Sequence, residues 1–160
     1  MSLRVAIVTV SDSVSQGKRQ DQSGPAVSAR CSELGWKVIS THVVSDDSAV
    51  IQVRLRDLAE SAQMDLIVTT GGTGIGPRDS TPEATAAACE KLIPGLGEMM
   101  RQKGMQATPR AALSRGVVGV RGRTLILNLP GKPQGAVDSL NAIAELLPHA
   151  VEVLGGSSHD

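Results

Sequence analysis

The sequence contains no phenylalanine and no tyrosine, and Trp36 is its one tryptophan. Surfaces that grip single-stranded nucleic acid stack bases on aromatic rings, so that class of binder is disfavoured. Net charge is missing as well. Sixteen basic residues balance sixteen acidic ones, and no global field draws the chain to nucleic acid or to an anionic membrane. No apolar run reaches the ~18 residues of a membrane span. No charged-then-apolar leader opens the chain, and the expectation is a cytoplasmic protein. Cysteine is scarce: Cys31 and Cys89 each fall in a helical pattern and read as small buried hydrophobes. Together with the scattered His42, His149 and His159 they show no zinc-ligand spacing. Ser11 and Ser114 have no visible His/Asp pair to activate them, which weakens a serine-hydrolase reading.

What remains is a core of Val, Ile, Leu, Ala and Met in 160 residues. That length buries roughly 70% of the unfolded surface and needs no disulfide. We expect one domain over residues 1–155 and a disordered tail over 156–160. Leu3–Val10 is a near-continuous β-branched run, as in a strand buried on both faces. Gly24-Pro25 opens a helix that ends at Gly35, and Lys37–Val44 is a second strand. A helix from Ser45-Asp46-Asp47 to about Ala62 leads to a third strand, Asp65–Thr70. Thr81-Pro82 starts another helix, running to Leu92, and a short helix is expected over Leu96–Lys103. Val117–Val120 and Thr124–Asn128 read as a hairpin. The last helix carries Val137, Leu140, Ala144, Leu147, Val151 and Leu154, and Pro148 is expected to kink or break it. The fold class is α/β: three layers, α/β/α, with a mostly parallel central sheet and a short antiparallel hairpin.

Parallel strands place ligands beyond their carboxyl ends. Three polar clusters sit there: Ser11-Asp12, Ser45-Asp46-Asp47 and Gly71–Asp79. The last, within IVTTGGTGIGPRD, puts four glycines in six residues before one carboxylate. Glycines let backbone amides approach a ligand, and successive amides form an anion nest beside the positive end of the next helix. The loop is neither a Walker A loop nor a dinucleotide fingerprint, since the lysine and the spacing are absent. An aspartate beside a phosphate makes sense through an intervening Mg²⁺, which takes oxygen ligands from both. Asp79 reads either as such a ligand, as a helix cap, or as the partner of Arg78. Asp46 reads as a ligand or as the N-cap of the helix after it, with Asp47 competing for either role. Asp12 and Asp21 fit ligand contact and turn roles equally. Arg110, Arg115, Arg121 and Arg123 can receive phosphates or stand as solvated surface. Met99, Met100 and Met105 suit packing or an interface.

TTGGTGIGPRDSTPEAT at Thr69–Thr85 resembles the signature loop of the molybdopterin adenylyltransferases, the Mog type of molybdenum-cofactor protein. The resemblance extends through VTVSDSVSQGKRQDQSGP at Val8–Pro25, ALSRGVVGVRGRTLILNLPGKPQGA at Ala112–Ala136 and LPHAVEVL at Leu147–Leu154. It implies that family's fold and the transfer of AMP from Mg-ATP to molybdopterin, with release of pyrophosphate, ahead of molybdate insertion. Mg²⁺ is the implied cofactor and ATP the co-substrate. By matching position, Asp46 and Asp79 resemble the acidic pair important for adenylation, through Mg²⁺ or transition-state positioning. Gly71, Gly72, Thr73 and Gly74 would hold nucleotide phosphate, and Leu129, Pro130 and Gly131 the turn beside the adenylate. Ser114 resembles a pterin-binding serine, with Arg115 next to it. Ser11, Asp12, Thr81 and Glu83 would line the pocket. The implied assembly is a homotrimer or hexamer, in contact with the molybdate-inserting enzyme and without nucleic acid or membrane. A Moa-type paralogue that binds pterin or nucleotide without transfer, and an oligomeric scaffold like gephyrin, are the alternatives. Two departures stand out. VSDD replaces the commoner Pro before a single Asp, and Gly76 stands where relatives vary and is expected to loosen the loop.

Overall fold

The computed structural model describes residues 1–156. Its strands are β1 (Arg4–Val10), β2 (Lys37–Val44), β3 (Leu66–Thr70), β4 (Lys91–Leu92), β5 (Val118–Arg121) and β6 (Thr124–Leu129). The helices are α1 (Asp12–Ser15), α2 (Ser23–Glu33), α3 (Ser48–Glu60), α4 (Thr81–Ala88), α5 (Pro94–Ala107), α6 (Pro133–Ile143) and α7 (Leu147–Leu154). Short 3₁₀ turns cover Pro109–Leu113 and Ala144–Leu146. One six-stranded sheet forms, in the order β2-β1-β3-β6-β5-β4. β2, β1, β3 and β6 pair in parallel, while β5 and β4 add to β6 antiparallel. The mixed sheet with helices on both faces is the architecture expected from the sequence.

The strand period of two divides the apolar residues between two cores. Leu3, Val5 and Ile7 face the α2, α6 and α7 side, where they pack with Val27, Leu140 and Leu147. Ala6, Val8 and Val10 face the other side, with Ile51 and Leu55 of α3 and Ala84 of α4. A strand buried on both faces reads as an unbroken hydrophobic run, which is why Leu3–Val10 lacks polar alternation. Trp36 is buried in the first core. Cys31 is buried and Cys89 half-buried, they form no disulfide, and burial pushes both thiols up to about 11. Among the described residues no helix is long and apolar enough to cross a membrane.

The second half departs from the sequence reading in two places. The helix from Thr81 stops at Ala88, and Lys91–Leu92 becomes edge strand β4 against Val120 and Gly119. The helix expected over Leu96–Lys103 runs over the longer span Pro94–Ala107. The final helix breaks as expected from Pro148: the break covers Ala144–Leu146, and Pro148 lies in the first turn of a separate α7. Proline lacks an N–H, and its ring clashes with the carbonyl four residues back. That residue is Ala144, where the break begins. The short α1 has no counterpart in the sequence reading, because four residues carry no helical period. Gly155 is the C-cap of α7, and residues 157–160, including most of the expected tail and His159, lie outside the described residues.

The start of α3 settles the competition between the two adjacent aspartates for the cap. Asp47 is the N-cap, its Oδ1 accepting from the amides of Ala49 at 2.9 Å and Val50 at 3.2 Å. Asp46 is thereby left for other partners. We predict that Asp47→Ala costs about 1 kcal/mol of stability, the usual worth of such a cap, measured by urea denaturation.

Candidate active site

Three other strand ends, those of β1, β2 and β6, converge on the loop after β3. The Gly71 amide donates to Leu129 O at 3.0 Å, and the Thr70 hydroxyl donates to Pro130 O at 2.7 Å. The turn after β6 is thus locked to the glycine loop. Gly71 and Gly72 adopt φ of 105° and 69°, a region that side chains disfavour. The space is closed as well. A Cβ at Gly71 would collide with Val10 O, and one at Gly72 would collide with Thr81 Oγ1. At Gly74 and Gly76 a Cβ would meet Asp79 Oδ2 at 2.9 and 3.0 Å. These contacts explain the density of glycine: the loop is wrapped by a hydroxyl and two carboxylates at close range. Gly76 tightens the loop, contrary to the loosening expected from the sequence. Its amide donates to Asp79 Oδ2 at 2.9 Å, and the Asp79 amide returns to Gly76 O at 3.1 Å.

The carboxylates have separate settings. Asp46 and Asp12 bond reciprocally: the Asp12 amide donates to Asp46 Oδ2 at 2.9 Å, and the Asp46 amide to Asp12 Oδ1 at 3.0 Å. A Cβ at Gly72 would lie 3.0 Å from Asp46 Oδ1, which sets that oxygen against the loop. Burial pushes the Asp46 carboxyl above its ordinary value, against the bond from the Asp12 amide. The charges of Asp12 and Asp79 act in the same direction as burial. Arg78 pairs with Asp12 through two bonds of 3.0 and 3.1 Å, and with the Asp46 amide it holds Asp12 below the usual carboxylate range. Arg78 therefore does not pair with Asp79. Nor does Asp79 cap α4, whose N-cap is Ser80 with no side-chain cap bond. Asp21 accepts from the Gly24 amide at 3.0 Å, in the first turn of α2, and from the Thr9 hydroxyl at 2.7 Å.

Arg115 braces the loop from its far side. Its guanidinium donates to Gly74 O at 2.7 Å and to Asp79 O at 3.1 Å, and its amide donates to Thr73 O at 2.8 Å. Glu83 pairs with the same guanidinium and raises its already high pKa. Thr81 is fully buried, with its hydroxyl on Gly71 O at 2.9 Å. The Ser11 hydroxyl accepts from the Val14 amide at 3.2 Å and caps α1. Thr81, Glu83, Arg115 and Leu129 thus hold the loop and are absent from the cleft wall described next.

A cleft of about 540 Å³ opens beside the loop. Thr73, Gly74, Ser114, Pro130 and Gly131 line it, whereas Asp46 and Asp79 do not. Gly74 forms part of the cleft wall and also rests against Asp79. The loop therefore stands as a partition, with the carboxylates on one side and the cleft on the other. The opposite wall, from Gly97, Met100, Arg101 and Gly104 of α5, was missed in the sequence. Its signal was available. Gly97 and Gly104 lie two turns apart on one helix face, and each weakens a helix unless something approaches closely. A Cβ there would meet Gly116 O at 3.2 Å and the Ala111 Cβ at 2.8 Å.

Among the described residues no group of three or more His, Cys, Asp or Glu is placed to hold a metal ion. Asp46 and Asp79 offer two hard carboxylates set against one glycine loop. That donor set fits Mg²⁺, which keeps waters and completes its shell with substrate phosphate oxygens.

A mostly parallel α/β sheet that brings a glycine loop, two carboxylates and a cleft to one edge is the arrangement of a small-ligand-binding α/β domain. The chain matches the family model described as "Probable molybdopterin binding domain" over residues 6–149. It belongs to the Mog/MoaB family of molybdopterin-binding proteins of molybdenum cofactor biosynthesis. It is 38% identical to the molybdopterin adenylyltransferase of Helicobacter pylori strain J99, over 98% of this chain and 90% of that one. The crystal structure of the molybdopterin biosynthesis enzyme MoaB of Thermus thermophilus superposes with a TM-score of 0.91, at 47% identity over 99% of both chains. The Mog protein of Mycobacterium ulcerans gives 0.88 at 40% identity, over 96% of this chain and 99% of that one.

The raised Asp46 carboxyl has a consequence for stability. The folded state holds that proton at higher pH than the unfolded chain, so the group weakens the fold at neutral pH, and the penalty fades as pH falls through the carboxylate range. We predict that Asp46→Asn raises the melting temperature at pH 7. The gain should shrink toward pH 4, as followed by calorimetry.

Proposed function

We propose that the protein is a molybdopterin adenylyltransferase. An oxygen of the terminal phosphate of molybdopterin attacks the α-phosphorus of ATP, that P–O bond forms, the bond to the β-phosphate oxygen breaks, and pyrophosphate leaves. The attacking oxygen is already ionised, so no general base is required. The observation that carries the reading is the pairing of Asp46 and Asp79 against the glycine loop, with the cleft directly behind it. In this reading the amides of Gly72, Thr73 and Gly74 bind nucleotide phosphate, assisted by the positive end of α4, while Gly71, whose amide is held by Leu129 O, shapes the loop. Asp46 and Asp79 would hold Mg²⁺, which supplies neutralisation of the charge on the phosphates. Ser114 and the Pro130-Gly131 turn line the cleft in which pterin and adenylate meet. Arg115 and Glu83 act on substrate through the loop they brace. The protein works as a cytoplasmic homotrimer and hands its product to the molybdate-inserting enzyme.

A second reading is favoured by one specific observation: the solved MoaB of Thermus thermophilus is more similar, at 47% identity, than the adenylyltransferase of Helicobacter pylori at 38%. In that reading the same cleft binds pterin or nucleotide without transfer.

Pyrophosphate release from Mg-ATP in the presence of molybdopterin separates the two. We expect release by the native protein. Asp79→Asn should lower turnover by about 100-fold or more, the usual loss for one electrostatic stabiliser, while molybdopterin binding stays close to native. A folded, ATP-binding protein that releases no pyrophosphate would establish the second reading. Equal loss of turnover and pterin binding in Asp79→Asn would make Asp79 a binding residue.

A further inference from the structure

Arg78 has no part in the reaction just described, yet it stands among the acids. Its guanidinium grips both oxygens of Asp12, and Asp12 Oδ1 also accepts the amide of Asp46. The charges of Asp46 and Asp47 act on it as well. Among the described residues neither Asp46 nor Asp79 enters an ion pair; Arg78 is the cation whose charge acts on Asp12 and Asp46, while Arg115 stands on the Asp79 side of the loop. Its side chain is 62% exposed, at the end of a loop tip where Ile75 is also 69% exposed. The contact is thus strongly directional but open to solvent.

We propose that Arg78 is the resident cation of the acidic site, holding Asp12 and Asp46 in place and keeping free divalent metal out until metal arrives with a nucleoside triphosphate. The proposal rests on the metal-nucleotide reading above. A dication entering alone meets the guanidinium charge without compensation. A dication carried by a triphosphate brings anionic oxygens with it. These give Arg78 a new bidentate partner as it leaves Asp12. An exposed, salt-screened ion pair exchanges in this way at little cost. Arg78 is accordingly a positioning residue that sets the form in which metal is accepted.

The test is Mn²⁺ binding, read from the electron paramagnetic resonance of the free ion at low ionic strength, with and without ATP. Native protein should bind Mn²⁺ weakly alone and tightly with ATP. Arg78→Gln should bind Mn²⁺ alone about tenfold more tightly, the effect of removing one unit charge about 6 Å from a dication in water. That gain should vanish in Arg78→Gln combined with Asp46→Asn, and it should narrow at about 0.5 M salt. Arg78→Lys, which keeps the charge, should stay near native and guards against a change in fold. Unchanged or weaker binding of Mn²⁺ alone by Arg78→Gln, with Asp46-dependent binding of Mn²⁺ and ATP intact in the native protein, overturns the role of Arg78 alone. Absence of Mn²⁺ binding under every condition overturns both this role and the metal reading beneath it.

Discussion

A methyl group at position 72 would collide with the Thr81 hydroxyl and lie 3.0 Å from an Asp46 oxygen. The rest of the site depends on that space being empty. With no Cβ there, α4 closes onto the loop through the Thr81 hydroxyl, and the β2 end delivers Asp46 to the same point. The neighbouring glycines repeat the condition: Gly71 against Val10 O, and Gly74 and Gly76 against Asp79. A loop that only reversed the chain would not need its side chains removed at four positions. One onto which three strand ends and a helix start all converge does.

Within that constraint the charged residues divide the work by position. Asp47 caps α3 and so leaves Asp46 for Asp12 and the loop. Arg115 and Glu83 stiffen the loop from behind, while Arg78 and Asp12 meet across its front. Burial and two like charges push the Asp46 carboxyl above its ordinary value, an arrangement that weakens the fold at neutral pH.

The loop is also a partition. Its Thr73 and Gly74 face the cleft, its far side faces the carboxylates, and Gly74 touches both regions. Two ligand portions of different character can therefore meet at one backbone segment: a bulky organic part in the cleft, and a charged part at the acids. The glycine face of α5 supplies the room opposite, with Gly97 and Gly104 bringing that helix close to Gly116 and Ala111.

Much of this was readable from the chain. Leu3–Val10 announced a strand buried on both faces because its apolar run is unbroken, and the glycines of GGTG announced a loop with positive φ angles because only glycine frees the backbone there. The roles of Asp46 and Asp47 were not separable, since both residues suit a cap and the choice depends on which amides point at which carboxylate. Likewise Arg78 sits beside Asp79 in sequence but reaches Asp12, and Thr81 and Arg115 looked like ligand contacts but turn toward loop carbonyls. The α5 wall was hidden because what its glycines accommodate lies beyond the helix itself. Residue types and their spacing determined the strands, the glycine loop and the stock of acids, because backbone freedom and hydrophobic period are local properties. Tertiary structure alone decided which acid faces the loop and which arginine answers it, because hydrogen bonds and charge pairing are settled by distance between segments that the sequence keeps far apart.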